Sequence, residues 1–137
     1  MSAFDKATIA HIGIAVKDIE EQIKVWRDQL GLPFEGTDEV PGVKIAFFPL
    51  GEGSVELVQS TDPESGLAKF VEQKGGGMHH LCIRVPDINA ALAELKQKGL
   101  KLIDEKPRTG AHGHLVAFIH PKSAGGVLLE LLQEKGP

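Results

Sequence analysis

The chain has 137 residues, 42% of them hydrophobic and 25% charged, with six histidines, one cysteine and a formal charge of -4. That length and mix suit one compact unit with its own core, and no low-complexity tract or charged block forces disorder. The acidic balance argues against a general nucleic-acid binder, which carries a basic face, and no apolar run approaches the ~20 residues of a membrane span.

The opening MSAFDKATIA has neither a basic region nor an apolar stretch of signal type, so the protein is expected to stay in the cytoplasm where it is made. The lone Cys82 permits no internal disulfide and favours a reducing interior. From His11 the residues alternate: Ile12, Ile14 and Val16 point one way, and His11, Gly13 and Ala15 the other, which predicts a strand. Asp18 then suits a helix N-cap, followed by Ile19, Ile23, Trp26 and Leu30 at helical spacing and by Gly31 at the end. Val43 to Pro49 and Ser54 to Gln59 read as strands, and Pro63 helps set the start of a helix over roughly Gly66 to Lys74.

At His80 the chain starts again. The run from His11 to Ile19 lines up at a constant offset of 69 with the run from His80 to Ile88, and Ile23 and Trp26 then meet Leu92 and Leu95. Leu81, Ile83 and Val85 share one face of the second strand, opposite His80, Cys82 and Arg84. Asp87 is a second N-cap, Ile88, Leu92 and Leu95 mark a second helix ended by Gly99, and Leu115 to Ile119 and Gly126 to Gln133 read as strands. The expected fold is therefore α+β: one domain over 1–137, built from two βαβββ modules at about 7–60 and 76–134, with a linker helix at about 65–75.

The last strand of each half carries a carboxylate among apolar neighbours, Val55-Glu56-Leu57 and Leu129-Glu130-Leu131. Glu is poor in strands and costly to bury without a partner. A single strand His is usually a hydrogen-bonded core or surface residue, and a single Glu usually faces solvent. Their joint recurrence, with side-chain phase kept, points instead to one divalent metal site formed by His11, Glu56, His80 and Glu130. Imidazole nitrogens with carboxylate oxygens suit Co, Ni, Mn, Fe or Zn better than Ca or Mg, and four protein ligands on a six-coordinate ion leave two positions for a chelating substrate. His79 falls opposite Ala10 on the aliphatic face with Leu81, which suggests structural duty, and Phe47, Phe118 and Trp26 read as core.

The segments HIGIAVKDIEEQI, IAFFPLG, VELVQSTDPESGLAKF, GGGMHHLCIRV, RTGAHG and FIHPKSAGGVLLELLQ follow in order along nearly the whole chain. In that order they resemble the methylmalonyl-CoA epimerase family of the vicinal oxygen chelate (glyoxalase/bleomycin resistance/dioxygenase) superfamily. The resemblance implies paired modules whose curved mixed sheet cups a metal on its inner face. It implies Co2+ as the cofactor, with Ni2+, Mn2+ or Zn2+ as substitutes, a small-molecule acyl-CoA substrate and a homodimer. The implied reaction interconverts (2R)- and (2S)-methylmalonyl-CoA by C2 proton abstraction through a metal-stabilised enolate, with Glu130 as one base as well as a ligand.

The second base of several relatives is a Glu in the strand that here reads Val43 to Phe47. Lys44 stands at the in-line position, so the second proton carrier is open among Lys44 with a lowered pKa, Glu39 and a bound water; Lys44 as an ordinary strand residue is equally open. The Gly-rich segment with Arg108, Gly110, His112 and His114 looks like a loop closing over substrate, and Lys122 like a contact to a coenzyme A phosphate. A plain hairpin and a solvated lysine are the ordinary readings of those two features. The rival functions are a lactoylglutathione lyase-like enzyme sharing all four ligands, a dioxygenase with two His and one Glu, and a non-catalytic binding protein. The second Glu and the short chain weigh against the dioxygenase, and retention of four ligands weighs against the binding protein.

Overall fold

The computed structural model describes residues 2–136 and divides into two compact units, residues 11–79 in one and the remainder in the other. In the first half, β1 (Thr8–Ala15), α1 (Ile19–Ile23), β2 (Thr37–Val40), β3 (Val43–Leu50) and β4 (Gly53–Ser60) precede α2 (Gly66–Lys74). The strands lie in the order β2-β3-β4-β1, with β1 parallel to β4 and the other pairs antiparallel. Asp18 starts α1 by accepting the Glu21 N–H at 3.2 Å, and the Gln59 side chain accepts the Ile19 N–H at 2.8 Å. Ile19 and Ile23 then bury themselves against Ala46, Phe48 and Leu57.

Beyond Ile23 the structure departs from the expected helix. A π-helix spans Lys24–Gln29, and the Leu30 N–H reaches Val25 O at 2.8 Å. The wider turn changes the angular spacing, so Trp26 still packs on this core while Leu30 is left 59% exposed.

The second half repeats the plan with β5 (Gly77–Arg84), α3 (Ile88–Gln97), β6 (Arg108–Thr109), β7 (Leu115–Ile119) and β8 (Leu129–Gln133). Here the order is β5-β8-β7-β6, with β5 parallel to β8. Asp87 caps α3 through the Ala90 N–H, and Gln133 takes the Ile88 N–H at 2.9 Å, as Gln59 does for Ile19. Ile88, Ala91 and Leu92 pack on Val85, Ala117, Ile119 and Leu131. Each half is thus a βαβββ module, and the fold is α+β. Strand β8 begins at Leu129 rather than Gly126, because Gly125 and Gly126 turn the chain with positive φ. No helix among the described residues is long and apolar enough to cross a membrane.

The start of the chain docks on α3. Ser2 Oγ donates to Glu94 at 2.6 Å and the Ala3 N–H donates to the same carboxylate at 3.0 Å, with Lys98 Nζ 3.2 Å away. Those donors, Ser2 first, hold the Glu94 carboxyl at about 2. A folded value below the unfolded one contributes stability at neutral pH that is lost as pH falls from about 4.5 towards about 2. Glu94→Gln should therefore lower the denaturant midpoint at pH 6, and the gap from wild type should close near pH 2. Parallel pH profiles for the two proteins would reject this.

Candidate functional site

Paired residues in a β-ladder share a face, so the register sorts the side chains of each half. In residues 11–79, Ala46, Phe48, Val55 and Leu57 face α1. The opposite face carries three rows: His11 beside Ser54 and Pro49, Gly13 beside Glu56 and Phe47, and Ala15 beside Val58, Ile45 and Asp38. On it His11 Nδ1 lies 3.0 Å from Glu56 Oε2, with the two side chains 6% and 14% exposed.

The other half builds the same pair. Glu130 stands opposite Cys82 on β5 and Phe118 on β7. His80, two residues before Cys82, places its Nε2 3.2 Å from Glu130 Oε1, and both side chains are at most 10% exposed. The Phe118 ring meets the His80 ring edge-on at 5.8 Å, and the Arg108 guanidinium lies 5.5 Å from the Phe118 centroid. Phe118, expected in the core, therefore lies on the face of Glu130, and Phe47, buried as expected, lies beside Glu56 on the corresponding face of the other half. Cys82, read from sequence only as a redox marker, is fully buried on the face of Glu130. The alternation of β5 had already put it on the side of His80.

Each half thus holds an imidazole nitrogen and a carboxylate oxygen together out of water. Two ligand atoms bound at right angles to one six-coordinate ion, at about 2.1 Å each, sit about 3.0 Å apart. The pairs at 3.0 and 3.2 Å meet that spacing, and imidazole nitrogen beside carboxylate oxygen is a donor set that could hold a divalent cation.

The second-base assignment to Lys44 does not stand. Lys44 shares its face with Ala46 and Phe48, on the side of α1, where its Nζ lies 2.8 Å from Glu20 Oε1. That hydrogen bond raises the Lys44 pKa above the ordinary lysine value, so the amine stays protonated and accepts no proton. Glu39, its ladder partner, shares this face and is likewise turned from Glu56.

In the Gly-rich segment, Arg108 lies in β6, opposite Val116. A side chain at Gly110 would come within 3.1 Å of Val116 Cγ2, so the backbone packs closely on that side chain, which would have to shift by a few tenths of an ångström to admit a Cβ. His112 takes φ 59, a left-handed conformation unusual for a non-glycine residue. Its ring meets that of His114 at 6.0 Å. His114 Nδ1 accepts the Lys135 N–H at 2.8 Å, and burial lowers its pKa, opposed by the charge of Glu134. A neutral imidazole with one N–H to donate results. Lys122 sits exposed in the turn after β7, and His79 packs edge-on against Phe70 at 5.1 Å.

Comparison with known proteins supports the fold and the family. The Glyoxalase/Bleomycin resistance protein/Dioxygenase superfamily model matches residues 10–118. The mitochondrial methylmalonyl-CoA epimerase of Homo sapiens is 39% identical over 96% of this chain and 77% of its own length. The crystal structure of methylmalonyl-CoA epimerase from Mycobacterium tuberculosis superimposes with a TM-score of 0.89 at 32% identity, over 93% of this chain and 88% of that one. A variant of the Streptomyces coelicolor enzyme in complex with 2-nitronate-propionyl-CoA gives 0.89 at 29% identity, over 95% and 98%.

Proposed function

The chain belongs to the glyoxalase/bleomycin resistance protein/dioxygenase superfamily, and from that premise we propose that it is a metal-dependent epimerase interconverting (2R)- and (2S)-methylmalonyl-CoA. The observation that carries the reading is the pair of buried His–Glu couples, one in each module at equivalent positions. Its support from outside the site is the 39% identity to an enzyme of that name over nearly the whole chain.

In this reading His11, Glu56, His80 and Glu130 hold one divalent cation, Co2+ before Ni2+, Mn2+ or Zn2+. Such a cation supplies Lewis-acid neutralisation for charge that develops on the thioester and carboxylate oxygens of the substrate, worth several kcal/mol. The rest of the work falls to side chains of this chain. Glu130 accepts the C2 proton of one epimer as its carboxylate and, in the reverse direction, donates a proton to C2 on the same face as the acid. Arg108, held over Phe118, attracts the negative charge of the acyl-CoA, and Phe118 keeps water from the reacting carbon. Gly110, His112 and His114 form the loop that closes over the substrate, and the exposed Lys122 meets a phosphate of coenzyme A. The active species is a cytoplasmic homodimer, whose buried Cys82 thiol suits a reducing compartment.

The deciding experiment follows C2 of methylmalonyl-CoA in heavy water with the metal-loaded protein. Deuterium should enter C2 in step with interconversion of the epimers. Absence of exchange, with turnover of the glutathione hemithioacetal of methylglyoxal in its place, would transfer the protein to the lyase branch of the superfamily.

A further inference from the structure

We propose that Asp38 is the second proton carrier of the epimerisation, acting on the face of the substrate carbon opposite Glu130; this rests on the epimerase reading above. Inversion requires that the proton leave one side of a planar carbon and arrive on the other, and one carboxylate cannot reach both. Glu130 comes from the half that begins at His80, so its counterpart is sought in residues 11–79.

The register there narrows the choice. On the face that carries His11 and Glu56, the strands also present Val40, Val43, Ile45, Phe47, Val58 and the hydroxyls of Ser54 and Ser60, none of which ionises near neutrality. Asp38 is the remaining carboxylate on that face among the described strand residues. It is half-buried and pairs with Ile45, which pairs with Val58, two residues along β4 from Glu56. With strands about 4.8 Å apart and a rise of about 3.3 Å per residue, the Asp38 and Glu56 backbones lie about 12 Å apart, a span that two carboxyl side chains and a malonyl group fill. Asp38 Oδ1 accepts the backbone N–H of Glu39 at 2.8 Å. That bond orients the carboxyl and leaves Oδ2 to carry the proton. Glu39 and Lys44 face α1 and are excluded by the same register.

The step balances. The Glu130 carboxylate takes the C2 proton, the C–H electron pair spreads on to the thioester and carboxylate oxygens, and protonated Asp38 breaks its O–H bond to form the new C–H bond from the other side. The product complex holds protonated Glu130 and ionised Asp38, and exchange with water or reverse turnover restores the starting state.

The test uses the metal-loaded enzyme in heavy water, with each epimer supplied separately. Asp38→Asn should slow interconversion by about 10²- to 10⁴-fold, the range of a lost acid–base group. The same variant should keep C2 deuterium wash-in, within a few fold of wild type, for the one epimer whose proton Glu130 takes. Asp38→Glu should recover part of the interconversion, and Glu39→Gln should match wild type. Interconversion by Asp38→Asn within a few fold of wild type overturns the assignment. So does equal loss of wash-in from both epimers, which marks a structural role. A wild-type enzyme that exchanges no C2 proton overturns the epimerase reading itself, and Asp38 with it.

Discussion

Glu130→Ala and His80→Ala are each expected to strip the protein of its divalent ion and cut epimerisation on the order of 10³-fold or more, while the far-ultraviolet circular dichroism stays that of wild type. The size follows from several kcal/mol of charge stabilisation at about 1.4 kcal/mol per tenfold in rate. Both residues stand in the interior of paired strands whose neighbours supply the packing: Leu131 beside Glu130 and Val85 beyond His80 lie in the core against α3. Deleting either side chain therefore opens a small polar void rather than a hydrophobic one. Glu130→Gln separates the two roles proposed for this residue, because an amide oxygen can still coordinate but cannot carry a proton. It should retain more metal than Glu130→Ala, measured by elemental analysis, and remain equally inactive. Either alanine variant turning over substrate at the wild-type rate would remove that residue from the site.

Gly76→Ala should cost about 3 kcal/mol or more of folding stability, seen as a lower urea midpoint with an unchanged slope. Gly76 has φ +110, outside the regions open to L residues, and a Cβ there would lie 2.8 Å from the carbonyl oxygen of Ala15. The conformational term alone is about 1–3 kcal/mol, and the contact is with backbone, which has no rotamer to relieve it. Relief must come from moving β1, the strand that bears His11, so metal affinity should fall as well. The neighbouring Gly75→Ala is the control. Gly75 caps α2 at φ +81 with nothing within 4 Å of the added Cβ, so it should cost only about 1 kcal/mol. Equal losses at the two positions would show that the close approach to Ala15 is not what demands glycine.

The two losses fall on different properties because the two residues were constrained differently. In the proposed reading Glu130 is held by chemistry, whereas Gly76 is held by a steric boundary that any side chain crosses. The first was legible from the chain as a carboxylate among leucines, matched by Glu56 in the other module. The second was not, since three consecutive glycines before Met78 do not say which of them lies against a neighbouring strand.

The same division runs through the fold. The internal repeat, the N-caps at Asp18 and Asp87 and the phase of His11, Glu56, His80 and Glu130 are properties of local spacing, and a period of two or 3.6 residues displays them without reference to anything distant. Strands β2 and β6 escaped that reading because they are short, polar edge strands, paired on one side and free of the apolar alternation that burial imposes. In β3 the run Val43 to Leu50 is apolar on both faces, so no alternation reveals which way Lys44 points; only pairing with β4, where Glu56 meets Phe47, fixes the phase and turns Lys44 towards Glu20. Likewise Leu30 fits a helical stripe on paper, and it is the π turn after Ile23 that carries it into solvent. The sequence by itself thus determined the repeat, the two N-caps and the candidate set His11, Glu56, His80 and Glu130, because residue type and spacing are local. Tertiary structure decided which face each one serves, because a strand's orientation is set by its partner and not by its own residues.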